Sequence, residues 1–324
     1  MRNPVLSLLC ARRFLPLFTT QFLGALNDNV FKNALVILII YQLIDDDAQG
    51  QLIVTAAAGI FILPFFLFSA LAGQIADKFE KSGLIRKIKL FEIAVMALGG
   101  LSLYAGETAM LLAVLFLMGT QSSFFGPLKY SILPIHLDED ELMAGNGLVE
   151  AGTFVAILVG TMAGGLLIRQ ADGVAIIAAG IMAIALAGWL VSFGIPRAPA
   201  SAPEIRINRN FLSETWKIVS HVRSELSVYR AILGISWFWL LGATFISQFP
   251  SLAKNVLGAD EEVVTLFLAL FAVGTAIGSL LCNWLLKGEV SARYVPLSAI
   301  LMTVAIVDFY LALGGRVPGP SLLD

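Results

Sequence analysis

QFLGALNDNVFKNAL, residues 21–35, lies in the middle of an apolar run that extends from about residue 14 to about residue 44. About 20 predominantly apolar residues are enough for a helix to cross a bilayer core. Here the run is interrupted by Asn27, Asp28, Asn29 and Lys32. An ionised group at bilayer depth costs about 2.5–3.5 kcal/mol on insertion scales unless it meets a partner or water. The stretch therefore reads as a membrane-spanning helix with a compensated polar face. Asp28 and Lys32 stand at i, i+4 with the acid first, the favoured order for a helical ion pair. Gln21, Gly24, Asp28 and Lys32 fall along one stripe, expected to line a bundle interior and to face Lys129 and Glu150. The plainer alternative is an ion pair that only locks helix packing, and Asn29 and Asn33 can simply bridge helices.

The rest of the chain agrees with a membrane setting. Of 324 residues, 58% are hydrophobic and 14% charged, with mean hydropathy +0.86. Soluble domains run nearer 45–50% and about 25%. Apolar runs mark nine spans, near residues 14–44, 51–72, 88–106, 108–134, 142–169, 172–194, 227–256, 262–286 and 294–314, with ends set to about 2–4 residues. Their continuity indicates helices, since barrel strands alternate in segments of about 10 residues. The expected fold class is an all-α polytopic membrane protein. The basic, apolar N-terminus lacks a small-residue cleavage site and reads as part of a retained first span. Cys10 and Cys282 have no Cys or His at ligand spacing, so no metal or cofactor is expected. Neither enzymatic chemistry nor a nucleic-acid partner is indicated.

Most of the 21 Lys and Arg residues gather in alternate connections: Arg12 and Arg13; Lys78, Lys81, Arg86, Lys87 and Lys89; Arg197, Arg206 and Arg209; Lys287 and Arg293. Positive residues mark cytoplasmic loops, which puts the N-terminus inside. The opposite connections carry Asp45, Asp46 and Asp47, and Asp260, Glu261 and Glu262. Residues 195–226 open as IPRAPASAPEIRINRN and turn helical around Leu212, Trp216 and Val219, an apolar stripe suited to a membrane interface. The expected organisation is a six-helix bundle over 1–194, a cytoplasmic linker over 195–226, and an incomplete second bundle over 227–324 that ends in a Gly/Pro-rich tail. An odd number of spans leads to the expectation of a C-terminally truncated chain.

Three further stretches bear chemistry. QSSFFGPLKYSILP, residues 121–134, puts Ser122, Gly126 and Lys129 on one face, and Gly126 and Pro127 are expected to loosen the helix there. Lys129 then either sits beside freed carbonyls or snorkels to an interface. GNGLVEAGTFVAILVGTMAGG, residues 145–165, places Asn146, Glu150 and Thr153 on one face, with Gly160, Gly164 and Gly165 suited to close helix contacts. Glu150 either lines the site or supports a neighbouring base; Gln248 and Asp308 are further interior candidates. GQIADKFEKSGLIRK, residues 73–87, sets Gly73, Asp77 and Lys78 at a helix end, as a latch between helices or as an ordinary positive loop.

That last stretch resembles the Gly-x-x-x-Asp-(Arg/Lys) signature of the major facilitator superfamily, and six spans followed by a cytoplasmic linker fit the same architecture. Within that superfamily, QFLGALNDNVFKNAL, GPLKYSILP and NGLVEAGTFVAILVGTMAGGLL resemble the bacterial lysophospholipid transporters, whose module occurs alone or fused to acyltransferase and acyl-carrier-protein synthetase domains. The resemblance is strongest over residues 12–194. It implies inward movement of lysophosphatidylethanolamine and related lysolipids across the bacterial inner membrane, with a fused or partner acyltransferase/synthetase on the cytoplasmic side. Asp28 and Asn29, Lys129 and Tyr130, and Asn146 and Glu150 match its helix motifs. Lys32 joins them as a candidate for the phosphate. The family has roughly a dozen helices, and Asn283 in GSLLCNWLLKGE stands where a repeated Asp is expected. Two other functions stay open: proton-coupled efflux of small amphipathic compounds through Asp28 and Glu150, and a non-transporting membrane module of a phospholipid-acylating enzyme.

Overall fold

The structure is a computed structural model and describes residues 4–39, 43, 47–208, 210–258, 261–287, 289 and 291–314. The acidic positions 45, 46 and 260, Arg209, and the tail from 315 onward lie outside these residues. The order is α1 (Pro4–Leu9), α2 (Leu15–Leu38), α3 (Asp47–Lys78), α4 (Lys81–Ala105), α5 (Thr108–Ser131), α6 (Leu133–His136), α7 (Leu142–Ile168), α8 (Gly173–Ser192), α9 (Phe211–Ser224), α10 (Leu226–Ser251), α11 (Glu261–Leu286) and α12 (Val295–Gly314). A 3₁₀ turn, Glu139–Glu141, leads into α7, and a π turn, Leu252–Val256, ends α10.

The expected all-α class is borne out: among the described residues nine helices have 20 residues or more, and no strand is present. Eight of the nine are apolar enough to cross a membrane. The exception is α2, whose Asn27, Asp28, Asn29, Lys32 and Asn33 lower its apolar character. Such a helix is stable at bilayer depth only where its neighbours cover the polar face. They do: α2 packs on α7 and α8, α3 on α5, and α4 on α5 and α8.

Glycines set how closely these helices approach. A Cβ on Gly160 would stand 2.7 Å from the Leu26 carbonyl oxygen, and one on Gly164 would collide with that of Val30, so α7 lies directly on the α2 backbone. This is the small-residue packing expected of helices in lipid, where close van der Waals contact replaces hydrophobic exclusion. Beyond α9, α11 lies against α7, with the Ser279 carbonyl oxygen 2.8 Å from where a Gly147 Cβ would be. Phe154 of α7 stacks on Trp239 of α10, ring centroids 6.0 Å apart. Large apolar side chains of α12 point outward, as lipid-facing positions do.

Several boundaries differ from expectation. The 73–87 stretch is helical almost throughout: α3 runs to Lys78 and α4 begins at Lys81, leaving a turn at Phe79 and Glu80. The Glu80 carboxylate makes so short a turn possible, capping α4 by accepting from the Ser82 and Gly83 amides at 3.0 and 2.7 Å. Pro127 does not break α5, which continues to Ser131. Among the described residues no carbonyl accepts a hydrogen bond from Lys129; its ammonium lies 4.8 Å from the Tyr130 ring centre. Asn283 lies within α11, buried, rather than in the connection after it.

Candidate functional site

Asp28 is 9% exposed, and the neighbouring Asn27 is completely buried. The expected ion pair with Lys32 does not form among the described residues. Instead, Asp28 Oδ2 accepts a 2.7 Å hydrogen bond from Ser122 of α5, and Lys32 sets its ammonium 4.3 Å from the Phe61 ring centre. The charges remain within electrostatic reach of each other and of Lys89 and Glu92. Asp28 Oδ1 is buried with no protein donor. A buried carboxylate oxygen without a donor strongly favours a cationic or hydrogen-donating ligand.

A buried ion pair on α4, unmarked in the sequence, lies beside this stripe at Gly24 and Asn27. Lys89 and Glu92 are 0% and 1% exposed and joined at 2.6 Å. Glu92 also accepts from Asn27 Nδ2 at 3.1 Å and from Gln121 Nε2 at 3.0 Å. A span beginning near 88 puts Lys89 at its very edge, among the bases of the connection. With α4 beginning at Lys81, Lys89 sits two turns inside the helix. Gly24 makes room for it: a Cβ there would lie 2.5 Å from Lys89 Nζ. The face of α2 is therefore divided, with Gly24 over α4, Asp28 against α5 and Gln21 on α7.

Gln21 accepts from Thr153 Oγ1 at 3.0 Å and donates to the Val149 carbonyl at 3.4 Å, joining α2 to α7. Lys129, Tyr130 and Glu150 form a second cluster, in which the Tyr130 hydroxyl bonds the Glu150 carboxylate and Lys129 feels its charge. Among the described residues no ion pair joins this cluster to Asp28. Seven residues separate Ser122 from Lys129, about 10 Å along the helix. Asn29 and Asn146 donate to carbonyls four residues back on their own helices, at 2.7 and 2.8 Å, and Asn33 bridges to the Thr161 carbonyl at 2.6 Å.

The α3–α4 turn holds the segment that follows α8. The Asp77 carbonyl accepts from the Ala202 amide at 2.9 Å, and Lys78 Nζ donates to the Ile205 carbonyl at 2.9 Å. Gln74 pairs with the Asn208 backbone, and Lys81 Nζ bonds Ser201 Oγ at 2.7 Å. Glu80 Oε1 accepts from the Ala198 amide at 3.0 Å. Burial pushes the Glu80 carboxyl up, but the Ser82 hydroxyl and the Ala198, Gly83 and Ser82 amides outweigh it and hold it below the usual carboxylate range. Gly73 is the helical position of this group with nothing within 4 Å of its Cβ direction. The Asp77 carbonyl and the Lys78 ammonium thus grip an irregular linker segment, whereas the sequence pointed to a latch between helices or an ordinary positive loop.

Residues 17–319 match the sequence profile of the Major Facilitator Superfamily. The chain is 28% identical to the lysophospholipid transporter LplT of Cronobacter sakazakii over 318 residues, 94% of this chain and 73% of that one. It is 29% identical to LplT of Serratia proteamaculans over 317 residues, 95% and 75% of the two chains. It is also 29% identical to LplT of Escherichia coli O7:K1 over 303 residues, 90% and 70%.

Proposed function

Since this chain belongs to the Major Facilitator Superfamily, we propose that it carries lysophospholipids, of the lysophosphatidylethanolamine class, inward across a bacterial inner membrane by alternating access, with its N-terminus cytoplasmic. The relatives' names support the substrate class, and the excess of Lys and Arg in alternate connections supports the orientation. The observation that carries the reading is Asp28: a buried carboxylate with one oxygen anchored by Ser122 and the other unpartnered, within reach of Lys32.

A zwitterionic headgroup brings an ammonium and a phosphate into a region without water. The free Asp28 oxygen suits the ammonium, and Lys32 suits the phosphate as a charge-assisted donor. Lys129 with Glu150 repeats the pairing of base and acid about 10 Å further along α5 and offers the headgroup a second station. Asn29 and Asn146 border this path, and Gln21 holds α2 on α7 beside it. The single acyl tail remains among apolar side chains or in lipid. Asp77 and Lys78, with Gly73, act as the latch, releasing the 195–208 linker as the bundle rocks.

Equilibrium binding of lysophosphatidylethanolamine to the purified protein in nanodiscs tests this reading. Asp28→Asn keeps the shape and the Ser122 contact but removes the charge, and it is expected to weaken binding about tenfold or more. Unchanged affinity would remove Asp28 from the substrate site.

A further inference from the structure

The Lys89–Glu92 ion pair is almost fully buried, at 0% and 1% exposure, and the substrate reading assigns it no part. Its bonding has a definite direction. Glu92 accepts on both oxygens, from Asn27, Lys89 and Gln121. A carboxylate only accepts, so the amide nitrogen of Gln121 must be the end that faces it. The Gln121 carbonyl oxygen is thereby turned toward Ser122, whose Oγ lies 3.0 Å from it and 2.7 Å from Asp28 Oδ2. Ser122 has one hydroxyl proton for these two acceptors.

While no ligand cation sits on Asp28, the charge-assisted bond to its carboxylate wins the proton. Once a cation sits on Asp28 Oδ1, its pull weakens and the Gln121 carbonyl competes for the same hydrogen. We propose that Ser122 is a two-position donor, and that Lys89, Glu92 and Gln121 of the adjoining helices are positioning residues which set its second acceptor and so tune how tightly Asp28 holds a cationic headgroup. The pair acts through Gln121 and Ser122 and does not itself touch the substrate. This inference rests on the reading that Asp28 receives the substrate's ammonium.

The decisive variant is Lys89→Met together with Glu92→Met, because replacing both members of a buried ion pair by apolar residues of similar size is often tolerated in stability. With Glu92 gone, the Gln121 amide loses its anchor and can turn its N–H groups toward Ser122 and Asp28. Uptake kinetics of lysophosphatidylethanolamine in proteoliposomes should then show KM raised about tenfold, the size expected from one altered charge-assisted hydrogen bond. The turnover number should change much less. Ser122→Ala removes the donor that competes with the headgroup for the Asp28 charge and should lower KM, and Ser122→Thr, which restores a hydroxyl, should return it toward wild type. A folded double variant with wild-type KM overturns the inference. Should the double variant not accumulate, Ser122→Ala decides: a wild-type or raised KM overturns the proposal, and a lowered KM restored by Thr supports it. Asp28→Asn, run alongside, separates the two levels. If it impairs uptake while the double variant does not, only the positioning role fails; if it leaves KM unchanged, the substrate reading fails and the inference with it.

Discussion

Asp28 could be picked out from residues 21–35 because a charge within an apolar span needs a local explanation. Lys89 and Glu92 could not, although KLFE puts them three residues apart in plain view. Their meaning comes from Gly24, Asn27 and Gln121, which converge on them from two other helices, and an apolar run that begins only near 88 leaves Lys89 at the edge of its span. Long-range pairing of this kind leaves no periodic trace. The pairing has a measurable consequence at single residues. Lys89→Met alone strands a buried carboxylate and should destabilise the protein by about 3–5 kcal/mol, whereas changing both partners should cost far less. Thermal unfolding in detergent of both single variants and the double variant checks this, and a double loss equal to the sum of the two single losses would mean that the two charges are not coupled.

At the scale of elements, the apolar runs located the helices well and their ends poorly. Glu80 explains one of the misplaced ends. Its carboxylate caps α4 and binds Ala198 across the turn, so a stretch read as a loop becomes two helices and a clamp. A cap is encoded by one short side chain, and the Ala198 contact by residues more than a hundred positions away. The clamp should be sensitive to acid. The folded carboxyl titrates below its ordinary value, so its contribution is complete at neutral pH, where both states are ionised. As pH falls below the usual glutamate value of about 4.3, the unfolded chain takes up a proton first and the contribution declines. Once the folded carboxyl is also protonated, the contribution is lost. Thermal stability of wild type relative to Glu80→Gln should therefore show a gap at pH 7 that narrows toward pH 3; a gap that stays constant or widens would contradict the assignment. Gly160 and Gly164 were readable as packing positions because small residues four apart have few other uses in a membrane helix.

For the whole molecule, composition and span length were enough to identify an all-α membrane protein, and matched stretches on several helices pointed to its superfamily. The division of the polar face of α2 among α4, α5 and α7 was hidden, because it depends on how the helices are arranged around it. That arrangement pairs Asp28 with Ser122, and Tyr130 with Glu150, two contacts whose α5 residues lie about 10 Å apart along that helix. The central claim is that this path carries a lysolipid headgroup inward and that Asp28 is its first holding point. The direct measurement is albumin back-extraction of labelled lysophosphatidylethanolamine added to the outside of cells that make the protein. Wild type should move the label into a pool that albumin cannot extract, and Asp28→Asn at equal membrane abundance should leave most of it extractable. Equal protection of the label by both, or no protection by wild type, would contradict the account.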